Sequence, residues 1–226
     1  MLAGVALLGV ACGSLPRDPE GTSHRVAANH VIRVGLSENP PWVIRTQGEP
    51  RGVEVQLVRD FAAQLHAQPQ WFWGSEQQHM PALEHFQLDL VVGGLESSSP
   101  WKKSVGFTRP YFEERTIVGV PASSGEPQSL EGVRVTFRPD SAAGFYLQKK
   151  HAELVRAADL AQASGAVAAE DWRIEKLGLR QTRYKLFEGK HVIAVPPGEN
   201  GWLKELETFL FPRSSQVKEM LKREAE

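Results

Sequence analysis

The 226-residue sequence predicts an α/β fold built on parallel strands. Three observations carry that expectation. Short β-branched apolar runs at residues 32–36, 89–92 and 116–120 read as strands with helical stretches between them. Val53, Leu57, Phe61 and Leu65 recur every four residues and line one face of a long helix. Finally, Asp89-Leu-Val-Val-Gly-Gly94 closes a strand with two glycines, and the hydroxyl-rich loop after it holds polar groups where crevices open at the carboxyl ends of such strands.

The remaining elements follow in order. Residues 80–86 form a helix feeding the 89–92 strand, and 107–111 leads into the strand at 116–120. Residues 130–137 are a further strand, and 140–144 is the loop that starts a helix. A helix end at Gly165 precedes a short strand finishing at Glu170 and Asp171, and residues 191–195 are a strand again. Leu203, Leu206 and Leu210 fall on one face of a helix over 198–210. Strands alternating with helices put the sheet in the middle and the helices on its faces.

Composition narrows the function. Hydrophobic residues at 41% and charged residues at 23% are ordinary for a globular chain, which excludes disordered and collagen-like classes. No stretch is far from neutral: residues 31–121 sum to −2, 122–195 to +2 and 196–226 to −1. That distribution lacks the positive field that phosphate backbones require, so nucleic acid is not an expected partner. The histidines are not paired at metal-ligand spacing, and neither a phosphate loop nor a nucleophile elbow is present, so no metal and no cofactor are expected.

The N-terminus has its own pattern. Residues 2–11 are an apolar or small-residue run, too short to span a bilayer but suited to a secretory signal, and it ends at Cys12, the only cysteine. Leu8-Gly-Val-Ala-Cys12 resembles a bacterial lipobox, in which the cysteine is lipidated. Residues 1–11 are then a signal peptide and 12–30 a lipidated, flexible tether that anchors the protein to the membrane.

Pro40-Pro-Trp42, the Asp89-to-Gly94 strand and turn, the serine loop and Phe107-Thr-Arg-Pro-Tyr111 together resemble the bacterial periplasmic solute-binding proteins of ABC importers, of the amino-acid-binding kind. Glu54 falls where that family usually has an acidic residue. The resemblance implies a two-lobed, type 2 periplasmic-binding-protein fold, each lobe a mostly parallel sheet flanked by helices. It also implies residues 31–121 plus 196–226 as lobe one, 122–195 as lobe two, and hinge strands at 116–121 and 191–196. The expected protein is a monomer in the periplasm or on the outer face of the cell membrane, with a small polar solute and an ABC transporter permease as partners. Two rivals keep the fold: a dehydratase-like enzyme with Glu96 or Glu170 as general acid, and a sensor or partner lipoprotein with a vestigial cleft.

Several residues are site candidates. Trp42 follows two prolines that stiffen its loop, and it either walls the crevice or plugs the lobe; the wall is preferred. Glu96, Ser97 and Ser98 would hydrogen-bond a polar ligand, while Ser98 or Ser99 also suits the cap of a helix beginning at Pro100. Asp140 and Ser141 stand either at a ligand-facing helix start or in a solvated turn. Asp171, preferred to Glu170, matches the family's ammonium-holding acid or belongs to a surface charge pair. Amino-acid binders of this family carry an arginine shortly after the Gly-Gly turn; here the segment reads Pro100-Trp-Lys-Lys103, and Lys102 supplies charge without a planar fork. An α-amino acid is therefore a doubtful ligand.

Overall fold

A computed structural model describes residues 18–224. After helix α1 (Thr22–Asn29), the chain forms β1 (Val31–Leu36), α2 (Val53–Gln64), β2 (Gln68–Trp73), α3 (Glu76–Glu84), β3 (Leu90–Val92) and β4 (Gly106–Phe107). There follow β5 (Phe112–Val120), β6 (Arg134–Phe137), α4 (Ala143–Lys149), β7 (Glu153–Arg156), β8 (Ala166–Glu170), α5 (Asp171–Lys176) and β9 (Arg180–His191). Last come β10 (Ala194–Val195), α6 (Asn200–Leu210) and α7 (Ser214–Glu224).

These strands make two five-stranded sheets, ordered β2-β1-β3-β10-β4 and β7-β6-β8-β5-β9. Within each, two ladders are parallel and two antiparallel: β1 runs parallel to β2 and β3, whereas β10 opposes β3 and β4. In the second sheet β6 runs parallel to β7 and β8, and β5 opposes β8 and β9. The sheets are thus mixed rather than mostly parallel, because the chain enters and leaves the second sheet on neighbouring, opposed strands.

The periodic positions Val53, Leu57 and Phe61 of α2 are buried, and Phe61 sits 5.2 Å from both Trp202 and Phe209 of α6. Each fully buried ring of this size contributes about 1.5–3 kcal/mol. A separate core of Val118, Val135, Phe137 and Leu147 lies under the second sheet. Each lobe therefore carries its own apolar interior, the condition for the two to move relative to one another.

Two boundaries differ from those expected. Strand β5 lies wholly in the second sheet, between β8 and β9, so residues 116–120 are the middle of lobe two and not a crossing. A buried central strand and a crossing strand give the same apolar run, so the sequence does not separate them. The chain passes between sheets at residues 108–111 and 192–193. There Thr108 N–H donates to the Ile193 carbonyl (3.0 Å), Ile193 N–H to Thr108 Oγ1 (3.0 Å) and Tyr111 N–H to the His191 carbonyl (3.0 Å).

Residues 18–30 do not form a flexible tether. Glu199 accepts from the amides of Glu20 (2.9 Å) and Thr22 (2.7 Å), Asp18 accepts from the Trp202 amide (2.9 Å), and Val26 of α1 is buried in the lobe-one core. Mixed polar composition hid this, since the docking carboxylate Glu199 lies 177 residues away from Thr22. Cys12 and the expected signal peptide at residues 1–11 lie outside the described residues.

Candidate functional site

Helix α2 begins one residue before Glu54, and that carboxylate organises the turn that ends β3. It is fully buried and accepts from the amides of Gly93 and Gly94 (2.7 Å each) on one oxygen and from the Tyr111 hydroxyl (2.7 Å) on the other. Gly94 has φ +68°, and a Cβ there would stand 2.6 Å from Asn39 Nδ2 and 2.7 Å from Trp42 Cδ1. The glycine is therefore required twice, for its left-handed backbone and for the close approach of the indole. These contacts fix Trp42 against the strand end.

Burial raises the Glu54 pKa, outweighing the Gly94 amide, the Tyr111 hydroxyl, the His191 imidazole and the Gly93 amide, all of which pull it down. A carboxyl whose folded value lies above its unfolded one binds more protons in the native state between the two. Stability falls as pH rises from about the unfolded value, near 4.3, through the folded value. Glu54→Gln can keep an oxygen toward the glycine amides and does not titrate. Melting temperatures of the pair between pH 4 and 8 are expected to diverge in favour of Glu54→Gln as pH rises through that window; a gap independent of pH would contradict the assignment.

Above this anchor lies a cleft of ≈ 310 Å³ with walls from both sheets. Strands β5 and β9 supply the far wall through one face of their ladder. Phe112 pairs with His191, Glu114 with Gly189 and Thr116 with Phe187, so alternate residues of both strands point the same way. Gly189 leaves room: a Cβ there would lie 2.9 Å from a carboxylate oxygen of Glu96 in the loop after β3. On the near side Trp42 packs its ring 4.0 Å from the His191 ring. Glu114 accepts from the Trp172 indole (2.6 Å) and approaches His191 Nε2 at 3.4 Å, which links the two tryptophans through an acid and an imidazole.

Of the residues singled out from sequence, Trp42, Glu96, Asp140 and Ser141 line the cleft. Trp42 both walls the cleft and belongs to the core, being only 4% exposed. Asp140 takes both of its hydrogen bonds from Arg138, and Ser141 Oγ accepts from the Ala143 amide (3.1 Å) at the start of α4. Ser97, Ser98 and Lys102 are not in the cleft wall. The Ser97 amide binds the Lys190 carbonyl (2.8 Å), Ser98 gives its hydroxyl to Glu96 (3.3 Å), and Ser99 is the residue that caps the short turn Pro100–Lys103. Lys102 on that turn is exposed to solvent, while its neighbour Trp101 packs against the cluster around Met80 and Leu83.

Asp171 also faces away, toward Arg115 (3.2 Å) and Lys218 (3.9 Å). Its neighbour Glu170 lines the cleft instead, paired with Arg173 at 2.8 Å. The strand ends one residue earlier than the preferred reading assumed, and a one-residue step reverses the face. Sequence reasoning missed Glu114, Trp172, Arg173, Phe187 and His191. The alternation Phe112, Glu114, Thr116 would have shown Glu114 had the strand been started at 112.

A wider depression of ≈ 980 Å³ lies between α2, α5 and α7. Its polar side chains are largely spent on one another, with Lys218 and Lys222 of α7 holding Glu175 of α5. The narrower cleft, with rings and polar groups converging from two sheets, is the candidate site.

Residues 32–216 match the bacterial extracellular solute-binding proteins, family 3. The chain belongs to that family. It is 24% identical over 131 residues to ABC transporter arginine-binding protein 1 of Escherichia coli (strain K12), an alignment covering 57% of this chain and 54% of that protein. The chain spans about half the length of the curated relatives it matches. Its fold superposes on an ancestral cationic amino acid solute-binding protein with TM-score 0.71 at 16% identity, covering 88% of this chain and 98% of the other. The L-cystine solute receptor of Neisseria gonorrhoeae in the unliganded open conformation gives 0.67 at 16% identity, covering 87% and 92%. The two-sheet α/β architecture expected from sequence is thus the type 2 periplasmic-binding-protein fold of this family 3 chain.

Proposed function

We propose that this family 3 protein captures a small polar, amino-acid-like solute in the interlobe cleft, outside the cytoplasmic membrane, and presents it to an ABC transporter permease. The observation that carries the reading is the cleft itself, walled by Trp42 and Glu96 from one sheet and by Glu114, Phe187 and His191 from the other. A solute touching both walls favours the closed arrangement, which is the differential contact that lobe closure needs. Arginine- and histidine-binding relatives point the same way. Lipidation at Cys12 would keep the protein at the membrane surface, and the protein would work as a monomer by binding, without catalysis. A volume near 310 Å³ sits at the small end of ligand sites, which fits a solute of amino-acid size.

The experiment is a thermal-shift screen of amino acids, amines, sugars and organic acids on the purified chain, with the bound compound identified afterwards by mass spectrometry. One chemical class is expected to raise the melting temperature and to be recovered unchanged. A screen in which nothing binds, or in which the compound returns as a product, would overturn the reading.

A further inference from the structure

Among the groups lining the cleft are four carboxylates, Glu96, Glu114, Asp140 and Glu170, and two guanidiniums, Arg138 and Arg173. Both guanidiniums are engaged: Arg138 donates to both oxygens of Asp140, and Arg173 donates to Glu170 at 2.8 Å while lying over the Trp172 ring at 4.6 Å. Each guanidinium keeps further N–H groups, but its charge is already matched by an acid, so a ligand carboxylate would meet a neutralised pair and not a free cation. Glu96 and Glu114 have no Lys or Arg within ion-pair distance among the described residues. Both line the cleft from different lobes, Glu96 beside Gly189 and Glu114 directly across the ladder from that glycine.

The hydrogen-bonding inventory points the same way. On the His191 ring Nε2 lies 3.4 Å from a Glu114 oxygen, and Nδ1 is buried with no partner. The Glu96 and Glu114 carboxylates only accept, which suits a ligand that donates. The half-buried Phe187 ring lines the cleft and supplies a face that attracts a cation. The turn Pro100–Lys103 puts a tryptophan against the core and its lysines in solvent, and among the described residues lining the cleft the first lobe contributes no guanidinium.

We propose that the cleft takes an organic cation without a carboxylate, an alkylamine or alkylguanidine, in place of an α-amino acid. This rests on the solute-binding reading above and names the ligand class of the same cleft. Two matched pairs test it by calorimetry on the wild-type chain: agmatine against arginine, and cadaverine against lysine, each pair differing only in the carboxylate. The decarboxylated member is expected to bind at least about tenfold tighter in at least one pair, since the added carboxylate meets unpaired acids of like charge. Glu96→Gln, a substitution on an exposed loop, should keep the wild-type melting temperature without ligand and weaken that binding several-fold. Binding in which neither amine outcompetes its amino acid in either pair would overturn the inference and leave solute capture standing. The same holds if neither pair binds while a sugar or organic acid does; if no solute in the broader screen binds, both readings fall.

Discussion

Trp42→Ala is expected to lower stability by about 3–5 kcal/mol, the range for removing a large buried ring, and so to drop the melting temperature by roughly 10 °C. The indole is 4% exposed and forms a T-shaped contact with Tyr111 at 6.4 Å, a tilted one with Phe112 at 6.0 Å and a close one with His191 at 4.0 Å. Its backbone is equally committed. The Trp42 amide donates to the Asn39 carbonyl (2.8 Å), and its carbonyl accepts from Glu54 (3.0 Å), at a point where Gly52 at φ +116° leaves no space for a Cβ. Alanine keeps those backbone bonds and forfeits only the ring, so the loss measures packing. Solute affinity should fall at least about tenfold as well, because the ring that walls the cleft also holds His191 in place. Trp42→Phe separates the two effects: it should restore most of the stability and only part of the affinity. A loss under about 1 kcal/mol in urea unfolding would show that the core closes without the indole.

Much of lobe one is legible in the sequence because its signals are local. The four-residue period of α2, the β-branched run of β3 and its glycine turn all stand within a few residues of the contacts they make. Strand β9 is different. Arg180 to His191 alternates polar and mixed residues without an apolar run, and its strand character comes from the ladder it forms with β5, whose partners are up to 79 residues away. Pairing across that distance is what aligns Gly189 with Glu114, and no local pattern encodes the vacated space. Glu170 and Asp171 show the same limit at one-residue scale. Both are acids at a strand end, and only the point where β8 gives way to α5 decides which of them turns to the cleft.

The residue just before β3 has a role far from the cleft, and Asp89→Ala should expose it. Asp89 is fully buried, and its carboxylate accepts from the Arg33 amide (2.8 Å), from Arg33 Nη2 (2.7 Å) and Nε (3.2 Å), and from Arg25 on α1. Its own carbonyl takes the Trp202 indole N–H (2.9 Å) from α6, and its amide donates to the Arg33 carbonyl (2.8 Å). One side chain thus ties α1, β1 and β3 together at the amino end of the strand. Removing it leaves two guanidiniums beside a buried amide. Such a deletion costs about 3–5 kcal/mol when the charges stay buried. Here the guanidiniums are 30% and 27% exposed and can turn to water, so the lower end, about 3 kcal/mol, is expected. Because α1 loses its ion pair, protease cleavage within residues 18–30 should accelerate ahead of global unfolding. Affinity of the folded fraction should stay at the wild-type value, since the cleft lies at the opposite, carboxyl end of the same strand. Stability loss with unchanged binding is the reverse of the Trp42→Ala signature. If Asp89→Ala weakened the solute in proportion to stability, the two ends of β3 would have to be coupled, and the division of this strand into an anchoring end and a binding end would be wrong.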